Sequence, residues 1–367
     1  MTQIDAVLLL SFGGPERPQD VMPFLERVTA GRGIPPQRLA KVAEQYLAFG
    51  GISPINEQNR ELVTALREAL AASGLDLPVY WGNRNWDPLL AHTLRQMRGD
   101  GVQCAAVIVT SGYSSYSGCR QYRENLYDAV QEVQSDGQGP APQLLKVRRW
   151  FDQPAFIEAM VDNTVAAVER IRGAGASLPQ LVFTTHSIPI SQALTSGDPL
   201  LGGNMYERQH RFAAEQIAGG VSVRLGRELP WELVYQSRSG PPTVPWLEPD
   251  VGDYLVELKE QAAQGAVMIP IGFASDHMEV MWDLDTQAMQ QAQEVGLPCV
   301  RAATVGTDPR FVHALVDLVA ERVRQTPTAE RIALGPWGAA PDVCPVGCCP
   351  NNKGERPALC GTDSPGE

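Results

Sequence analysis

Residues 6–15, AVLLLSFGGP, decide the fold of the chain because they join a buried strand to a tight turn. Residues 6–10 are apolar without interruption, which is typical of a parallel strand that is covered on both faces. A strand with one face in water would alternate apolar and polar residues instead. The glycines and proline that follow mark a turn, and a segment with helical periodicity comes later, at residues 57–72. The chain therefore begins as a β–α unit.

The same unit recurs along the chain. Apolar runs of strand length occupy residues 6–10, 78–81, 105–110, 144–147, 181–184, 233–235, 267–270 and 299–303. Helical periodicity is clear in residues 57–72, 121–133, 156–171, 253–263 and 310–324. This alternation predicts an α/β fold with parallel sheets. Eight strands could close a single barrel, or they could divide four and four at residues 150–154 (WFDQP). We predict the second arrangement, with two similar doubly wound halves and a cleft between them.

We accordingly divide the chain into an N-terminal lobe (residues 1–149), a C-terminal lobe (150–330) and a C-terminal extension (331–367). The extension has only five Leu, Ile, Val or Phe residues, too little apolar surface to offset the entropy of ordering it. Four of the seven cysteines lie in it: Cys344, Cys348, Cys349 and Cys360. An odd number of cysteines and no export signal argue against a disulfide framework. The clustering predicts a metal site that holds the extension in place.

The composition limits the class of protein. With 44% hydrophobic and 20% charged residues, the 367-residue chain is globular rather than disordered. Its net charge of −12 would be repelled by a phosphate backbone, so we expect no nucleic acid as a partner. No apolar run reaches the roughly 20 residues that cross a bilayer, and no basic segment precedes residues 6–10 as in a signal peptide. We therefore predict a soluble, cytoplasmic protein without a transmembrane segment. The P-loop, GxGxxG, HExxH and GxSxG motifs are absent from the sequence.

Residues that suit catalysis follow four of the predicted strands, in residues 11–16, 184–189, 236–242 and 272–279. In open α/β sheets the ligand lies beyond the carboxyl ends of the strands, so these turns form the candidate site. His186 stands at a strand tip, and three more candidates belong to the last segment and the helix that it enters: His277, Glu279 and Asp283. Two carboxylates four residues apart share a helix face, where they need a cation or a proton between them.

Each of these features also has a purely structural explanation. A histidine after a strand can stabilise its turn, and an Asp-His-Met-Glu run at a helix start can act as a cap. All four side chains, however, would converge on one crevice of the second half. A neutral imidazole with carboxylates suits a divalent metal such as iron or zinc, and it also suits proton acceptance near neutral pH.

Five motifs in order give the sequence a recognisable family pattern. They are residues 10–15 (LSFGGP), 50–55 (GGISPI), 185–189 (THSIP), 236–241 (QSRSGP) and 275–279 (SDHME). Together they resemble the ferrochelatases over residues 1 to about 325. Residues 81–86 (WGNRNW) and 246–249 (WLEP) are similar to the actinobacterial branch, the coproporphyrin III ferrochelatases. The resemblance implies two Rossmann-like, chelatase-type lobes that clamp a porphyrin in a central cleft, and a monomer.

The resemblance also implies roles for individual residues. His186 matches the active-site histidine and Glu279 its partner, while His277 and Asp283 match residues of the acidic row behind them. We expect His186 and Glu279 to contact the iron and accept protons, which the other two relay outward.

Two further positions, Ser53 and Tyr122, match residues that contact the porphyrin. Phe12 stands where some bacterial relatives have a tyrosine, which leaves no oxygen ligand for iron on that side.

Some ferrochelatases carry a [2Fe–2S] cluster on one internal cysteine and three from a C-terminal extension. By this resemblance the internal ligand is Cys119, and the other three are predicted from the extension as Cys344, Cys348 and Cys349. Cys360 could replace one of them, and a structural zinc in a four-cysteine site is the alternative. Cys104 and Cys299 lie in strand-like runs and are expected to pack in the core. The cluster would have a structural or sensing role, since it lies outside the insertion site.

The function implied is insertion of ferrous iron into coproporphyrin III in haem biosynthesis. Protoporphyrin IX is the alternative porphyrin. Residues 21–40 carry arginines rather than an apolar lip, which favours the porphyrin with four propionates. Transient contact with other enzymes of the haem pathway is a further expectation. Two other classes stay open: a ligand-binding module of the periplasmic-receptor type, which would need an export signal, and a non-catalytic iron–sulfur sensor on a chelatase scaffold.

Overall fold

Two parallel sheets of four strands each form the framework of the protein. The computed structural model describes residues 3–31, 33–241 and 243–364. The strands are β1 (Ala6–Ser11), β2 (Val79–Asn83), β3 (Cys104–Val109), β4 (Gln143–Lys146), β5 (Gln180–His186), β6 (Trp231–Gln236), β7 (Ala266–Ile269) and β8 (Cys299–Arg301). The first sheet has the order β2-β1-β3-β4 and the second β6-β5-β7-β8. The predicted α/β class with two similar halves is confirmed, and the single barrel is wrong.

The two sheets repeat one topology. In the first, β1 pairs in parallel with β2 and β3, and in the second β5 pairs in the same way with β6 and β7. All six residues of β1 are buried, as its unbroken apolar run predicted. Because β1 and β5 hold equivalent inner positions, the turns after them occupy equivalent places, and these turns carry Phe12 and His186.

Helices cover both sheets. They are α1 (Val21–Thr29), α2 (Pro36–Ala48), α3 (Ile55–Ala72), α4 (Leu90–Gly99), α5 (Gln121–Gln134), α6 (Pro154–Gly173), α7 (Ile190–Leu194), α8 (Met205–Leu225), α9 (Val251–Glu260), α10 (Met289–Glu294) and α11 (Pro309–Arg324). All five helices predicted from periodicity are present. The predicted 253–263 segment ends earlier, at Glu260, because Ala262 takes a left-handed φ of 60°. Among residues 3–31, 33–241 and 243–364, no helix is both long and apolar enough to cross a membrane.

One hydrophobic core runs through the junction of the halves. It joins residues of the first sheet, such as Ile108, to Phe183 of the second through Trp150 and Phe156. The indole of Trp150 donates to the carbonyl of Val109 over 3.0 Å. From the second half, α11 returns to pack against α3 of the first as well as against α6. The seam predicted at residues 150–154 is thus a buried connection rather than an exposed linker.

The C-terminal extension is irregular but attached. Between residues 331 and 364 it forms neither an α-helix nor a β-strand. The fully buried guanidinium of Arg123 on α5 donates to the Leu359 carbonyl over 2.6 Å and to Asp363 over 2.9 Å. Arg120 donates to the same aspartate over 2.6 Å. These charged contacts hold a segment that has little apolar surface of its own. Residues 365–367 of the predicted extension, and Pro242 of the predicted 236–242 turn, lie outside the described residues.

His210 on α8 is a buried histidine at the junction. Its ring stacks on Tyr113 of the first half, with centroids 3.6 Å apart. The Nδ1–H donates to the Tyr206 carbonyl over 2.7 Å, so in the neutral ring Nε2 accepts from the Thr185 hydroxyl at 2.9 Å. Burial lowers the pKa of His210 to about 3. The imidazole is therefore a neutral structural group in the folded protein.

This burial makes the stability of the fold depend on pH. In the unfolded chain His210 would titrate near pH 6.5, so its contribution is complete above that pH and is lost as the pH falls toward 3. We expect the free energy of unfolding to fall by up to about 1.4 kcal/mol per pH unit through this group. We expect urea unfolding of His210→Gln between pH 7.5 and 4.5 to show a weaker dependence of the unfolding free energy on pH, corresponding to about one proton fewer taken up on unfolding. An unchanged slope would contradict the assignment.

Candidate active site

His186 and Glu279 meet at the tips of the second sheet. His186 is the last residue of β5, and Glu279 directly precedes a π-helical segment, Val280–Ala288. The Nε2 of His186 lies 3.6 Å from Oε1 of Glu279, and the two side chains remain 30% and 48% exposed. The structure therefore brings the two principal predicted residues together on a surface that a ligand can reach.

Backbone contacts fix the direction of the His186 ring. Its Nδ1–H donates to the carbonyl of Ser187, which leaves Nε2 directed toward Glu279. Ser187 is itself held by β6, because its N–H donates to the Gln236 carbonyl over 2.7 Å. The Ser187 hydroxyl donates to the carbonyl of Leu247 over 2.8 Å. The imidazole thus stands on a short, doubly anchored turn.

The π-helical segment widens the turn that carries Asp283. Here the Thr286 hydroxyl donates to the carbonyl of Met281, five residues earlier, over 3.0 Å. Single π turns inside helices are uncommon and occur frequently at functional sites. Asp283 accepts a hydrogen bond from the hydroxyl of Ser237, at the tip of β6. The side-chain amide of Gln236 donates to the Glu279 carbonyl over 3.1 Å. The 236–237 turn therefore holds both members of the acidic pair.

Charges at the site are strongly coupled. Burial alone would lower the pKa of His186, but the carboxylate of Glu279 outweighs it and raises this pKa to about 8. In turn, burial would raise the pKa of Glu279, yet the charge and hydrogen bond of His186 lower it to about 2. Burial raises the pKa of Asp283 to about 7 despite the hydrogen bond from Ser237. The expected neutral imidazole is thus replaced, before any metal arrives, by a protonated ring paired with a carboxylate.

His277 has a different position from the other three. Its Nδ1 accepts from the backbone N–H of Glu279 over 3.2 Å, and its ring packs edge-on against Phe273. Burial lowers the pKa of His277. The neighbouring Asp276 pairs with Arg301 at 3.1 Å, and its N–H donates to the side chain of Gln58 on α3 over 2.9 Å. This histidine therefore supports the start of the segment that carries Glu279.

The first half supplies an aromatic wall. Phe12 follows β1, and Tyr122 lies near the start of α5 with 4% exposure. The guanidinium of Arg84 lies over both rings, 5.6 Å from the Phe12 centroid and 4.4 Å from that of Tyr122. Ser53 is buried, and its N–H donates to the Pro15 carbonyl over 2.9 Å. The predicted porphyrin contacts thus belong to one half, and the predicted metal contacts to the other.

Sequence reasoning missed the residues that bridge the walls. Burial raises the pKa of the Tyr46 hydroxyl on α2. The carboxylates of Glu279 and Asp283 are close enough to raise it further. Phe49 packs edge-on against Trp282 with centroids 6.4 Å apart. Neither α1 nor α2 was predicted as a helix, so Tyr46 was not considered, although the amphipathic pattern of residues 36–48 was a signal for α2. The 236–242 turn was selected from the sequence because it follows a strand. Ser237 lies in this turn, so its position could have identified it as a candidate.

A cavity of about 380 Å³ lies between α3 and the loops after β7 and β8. Its lining includes Gln58, Ser275 and Thr307 but neither His186 nor Glu279. We therefore treat it as separate from the acid–histidine pair.

Four cysteines form one buried cluster elsewhere, hereafter the thiol cluster. Its members are Cys119, Cys344, Cys348 and Cys349. Cys119 is within hydrogen-bonding distance of Cys344 and Cys349. Cys348 is within hydrogen-bonding distance of the same two residues, so the four sulfurs form a closed ring. The Sγ atoms of Cys348 and Cys349 are 3.9 Å apart. Hydrogen bonds from Cys344 and Cys349 lower the pKa of Cys119, and they lower that of Cys348 to about 4.

The other three cysteines lie outside this cluster. Cys360 packs in the core of the first half, where its Sγ contacts the Leu144 carbonyl at 3.3 Å. Cys104 is fully buried and Cys299 partly exposed. Burial raises their pKa values, to about 11 and about 12 respectively. These thiols are therefore packing groups, as was expected for the last two.

The surroundings of the thiol cluster suit an anionic metal–thiolate group. The Nε of Arg149 is buried without a hydrogen-bond partner, and the thiols are the main groups that raise its pKa against burial. The ammonium of Lys146 is also buried, and it donates to the Val147 carbonyl over 3.0 Å. In the part of the chain that the structure describes, no set of three or more His, Cys, Asp or Glu residues has the geometry of a preassembled metal site. The four buried thiols and the two buried cations beside them fit a metal–thiolate group.

Comparisons with known proteins identify the family of the chain. Residues 4–323 match the family model described as ferrochelatase. The chain is 53% identical to the coproporphyrin III ferrochelatase of Streptomyces coelicolor, over 98% of this chain and 97% of that protein. It is 54% identical to the coproporphyrin III ferrochelatase of Frankia alni, over 94% of this chain and 86% of that one. Among solved structures, SirB from Bacillus subtilis with Fe3+ has a TM-score of 0.48 at 13% identity, over 90% of this chain and all of that one. The chain belongs to the ferrochelatase family.

Proposed function

We propose that this protein inserts Fe²⁺ into coproporphyrin III, releasing two protons and giving Fe-coproporphyrin III in haem biosynthesis. The observation that carries the proposal is the contact between Nε2 of His186 and Oε1 of Glu279. These atoms lie 3.6 Å apart at the carboxyl ends of the strands, where both side chains are accessible. The aromatic and cationic wall of Phe12, Tyr122 and Arg84 supports it from the first half. The close relatives reported above, which are named for this reaction, support it further.

Each half of the cleft would have its own task. In this proposal the porphyrin lies between the N-terminal lobe, residues 1–149, and the C-terminal lobe, residues 150–330. Ser53, Tyr122 and Phe12 would contact the ring, and Phe12 offers no oxygen to the metal. A planar macrocycle hides its nitrogen lone pairs, so the pocket must bend it before iron can enter, using binding energy from the substituents.

The acid–histidine pair would receive the iron and the protons. Fe²⁺ must lose water and meet ligands that stay bound only briefly, which suits one imidazole and one carboxylate. The proton on Nε2 of His186 would pass to Asp283 or to water as the metal approaches, because proton and metal compete for this nitrogen. Asp283, with a pKa of about 7, can gain or lose a proton near neutral pH and would pass protons outward. His277 would act with it by holding the backbone of Glu279.

Four propionates favour a cleft that carries cations. Arg84 stands over the two aromatic rings of the wall, and Arg38 on α2 crosses the cleft edge to the Ser239 carbonyl over 2.6 Å. A porphyrin with four carboxylates would use such groups more fully than protoporphyrin IX, which has two. A monomer, a cytoplasmic location and transient contacts with other haem-pathway enzymes stay predictions.

An insertion assay with both porphyrins tests this function. We expect Fe²⁺ insertion into coproporphyrin III to exceed that into protoporphyrin IX in kcat/KM. His186→Ala should lower kcat by about 100-fold or more, the scale of general acid–base contributions, while the porphyrin still binds. The matched control is His92→Ala, an exposed histidine on α4, which should keep full activity. Near-normal insertion by His186→Ala would refute the mechanism, and a preference for protoporphyrin IX would refute the substrate.

We further infer that the thiol cluster holds a [2Fe–2S] centre on Cys119, Cys344, Cys348 and Cys349. Four buried sulfurs with two buried cations nearby support this, because tetrathiolate centres carry net negative charge. Such a centre supplies one-electron redox chemistry when bound. In this site it would also tie the extension to the first half, since Cys119 lies just before α5. It has no place in metal insertion, which leaves a structural or sensing role.

Metal analysis and absorption spectroscopy distinguish this centre from zinc. Protein purified without oxygen should be brown, should bleach with dithionite, and should contain about two iron and two acid-labile sulfides per chain. Cys348→Ser should lose the colour, whereas Cys360→Ser should keep it, because Cys360 contacts Leu144 instead. A colourless protein with one zinc would contradict the iron–sulfur assignment. Loss of the colour in Cys360→Ser would contradict the choice of ligands.

A further inference from the structure

The thiol cluster also contacts the second half of the protein. The Sγ of Cys349 accepts a buried hydrogen bond from the N–H of Gly197 over 3.1 Å. The N–H of Cys349 donates in return to the Gly197 carbonyl over 3.3 Å. Gly197 lies between α7 and α8, in the segment that follows the His186 turn. One residue of the extension is therefore paired with the connection that leads away from the active site.

The Gly197 turn is closely fitted to the start of α8. Gly197 has a φ of 87°, and a Cβ there would lie 2.2 Å from Cγ of Met205, so the position requires glycine. The next contacts come from Ser196, which is fully buried. The Ser196 hydroxyl accepts a hydrogen bond from the N–H of Tyr206 over 2.7 Å. The Ser196 carbonyl accepts one from the N–H of Met205 over 3.2 Å. A shift of Gly197 would therefore move Tyr206.

Tyr206 completes the path to the active site. Its hydroxyl donates to the carbonyl of His186 over 2.7 Å, and it lies 3.0 Å from the hydroxyl of Thr185. The hydrogen bond fixes the backbone of His186, and this backbone sets the orientation of the imidazole toward Glu279. Three buried residues, Gly197, Ser196 and Tyr206, thus connect a thiol of the extension to the predicted metal contact.

The opposite wall of the cleft is tied to the same cluster. Cys119 lies in the short π-helical turn Tyr116–Arg120, which leads directly into α5 and Tyr122. The thiol cluster is consequently attached to a porphyrin-facing helix on one side and to the support of His186 on the other. The extension has few apolar contacts of its own, so its order depends on this attachment.

We propose that Tyr206 is a positioning residue for His186, and that the thiol cluster fixes it by holding Gly197. The proposal rests on the proposed insertion function and gives the C-terminal site a defined role in it. When the thiols hold their metal group, Cys349 keeps the Gly197 turn in place and the imidazole aimed at the cleft. When the extension detaches, the turn loses this contact and the imidazole loses its fixed direction, while the porphyrin wall of Phe12 and Ser53 stays.

Tyr206→Phe tests the last contact of the path in the metal-loaded protein. We expect kcat for iron insertion to fall about tenfold, the effect of losing one buried hydrogen bond that orients a reacting group. The KM for the porphyrin and the iron and sulfide content should stay within about twofold. The matched control is Tyr235→Phe, because the hydroxyl of this buried tyrosine has no hydrogen-bond partner. Tyr235→Phe should keep full activity. Unchanged kcat in Tyr206→Phe would overturn the proposal.

A double-mutant cycle tests the link to the extension. Cys349→Ser should lower kcat at least as much as Tyr206→Phe, and the double variant should be no worse than Cys349→Ser alone. Hydrogen exchange followed by mass spectrometry should rise in residues 185–206 of Cys349→Ser but not in Cys360→Ser. Fully additive losses, or unchanged exchange in that segment, would overturn the link. If Cys349→Ser does not fold, the kcat of Tyr206→Phe decides alone.

The outcome is separable from a failure of the proposed function. If His186→Ala inserts iron normally, the insertion mechanism itself is wrong. If His186→Ala is inactive and Tyr206→Phe is fully active, only the positioning role is wrong.

Discussion

The contact between His186 and Glu279 is the interaction on which the proposed active site depends. Each group would be costly to bury alone in its charged form, and each shifts the pKa of the other toward that form. A pair of this kind persists only if the surrounding backbone holds it, and here β5, the 236–237 turn and the π-helical segment do so. In the proposed function a divalent cation would take the place of the shared proton.

The repeated sheet gives the two halves of the protein equivalent strand ends. β1 and β5 occupy the same position in sheets of identical order, so the turns that follow them end in equivalent places. The first of these turns carries Phe12, an aromatic ring, and the second carries His186. In the proposed function, one topology used twice would thus supply a binding surface from one half and a reactive one from the other. The return of α11 to α3 and the core around Trp150 keep the two halves together.

The sequence was sufficient for features that local pattern determines. Largely apolar runs predicted all eight strands among the described residues, and the position of His186 at a strand tip followed from them. Long-range packing decided the rest. Helices α1 and α2 were not predicted although both segments are amphipathic, so Tyr46 was missed. The π turn that carries Asp283 has no signature in the sequence. The pairing of Cys349 with Gly197 joins residues 152 positions apart, which no local pattern can indicate.

A crystal structure of the protein with metal-free coproporphyrin III would test the central claim most directly. The account predicts a macrocycle between the two walls, bent out of plane, with its pyrrole nitrogens facing Nε2 of His186 and the carboxylate of Glu279. Phe12 and Tyr122 should lie on the other side of the ring. A porphyrin bound away from this cleft, or one whose nitrogens face neither residue, would contradict it.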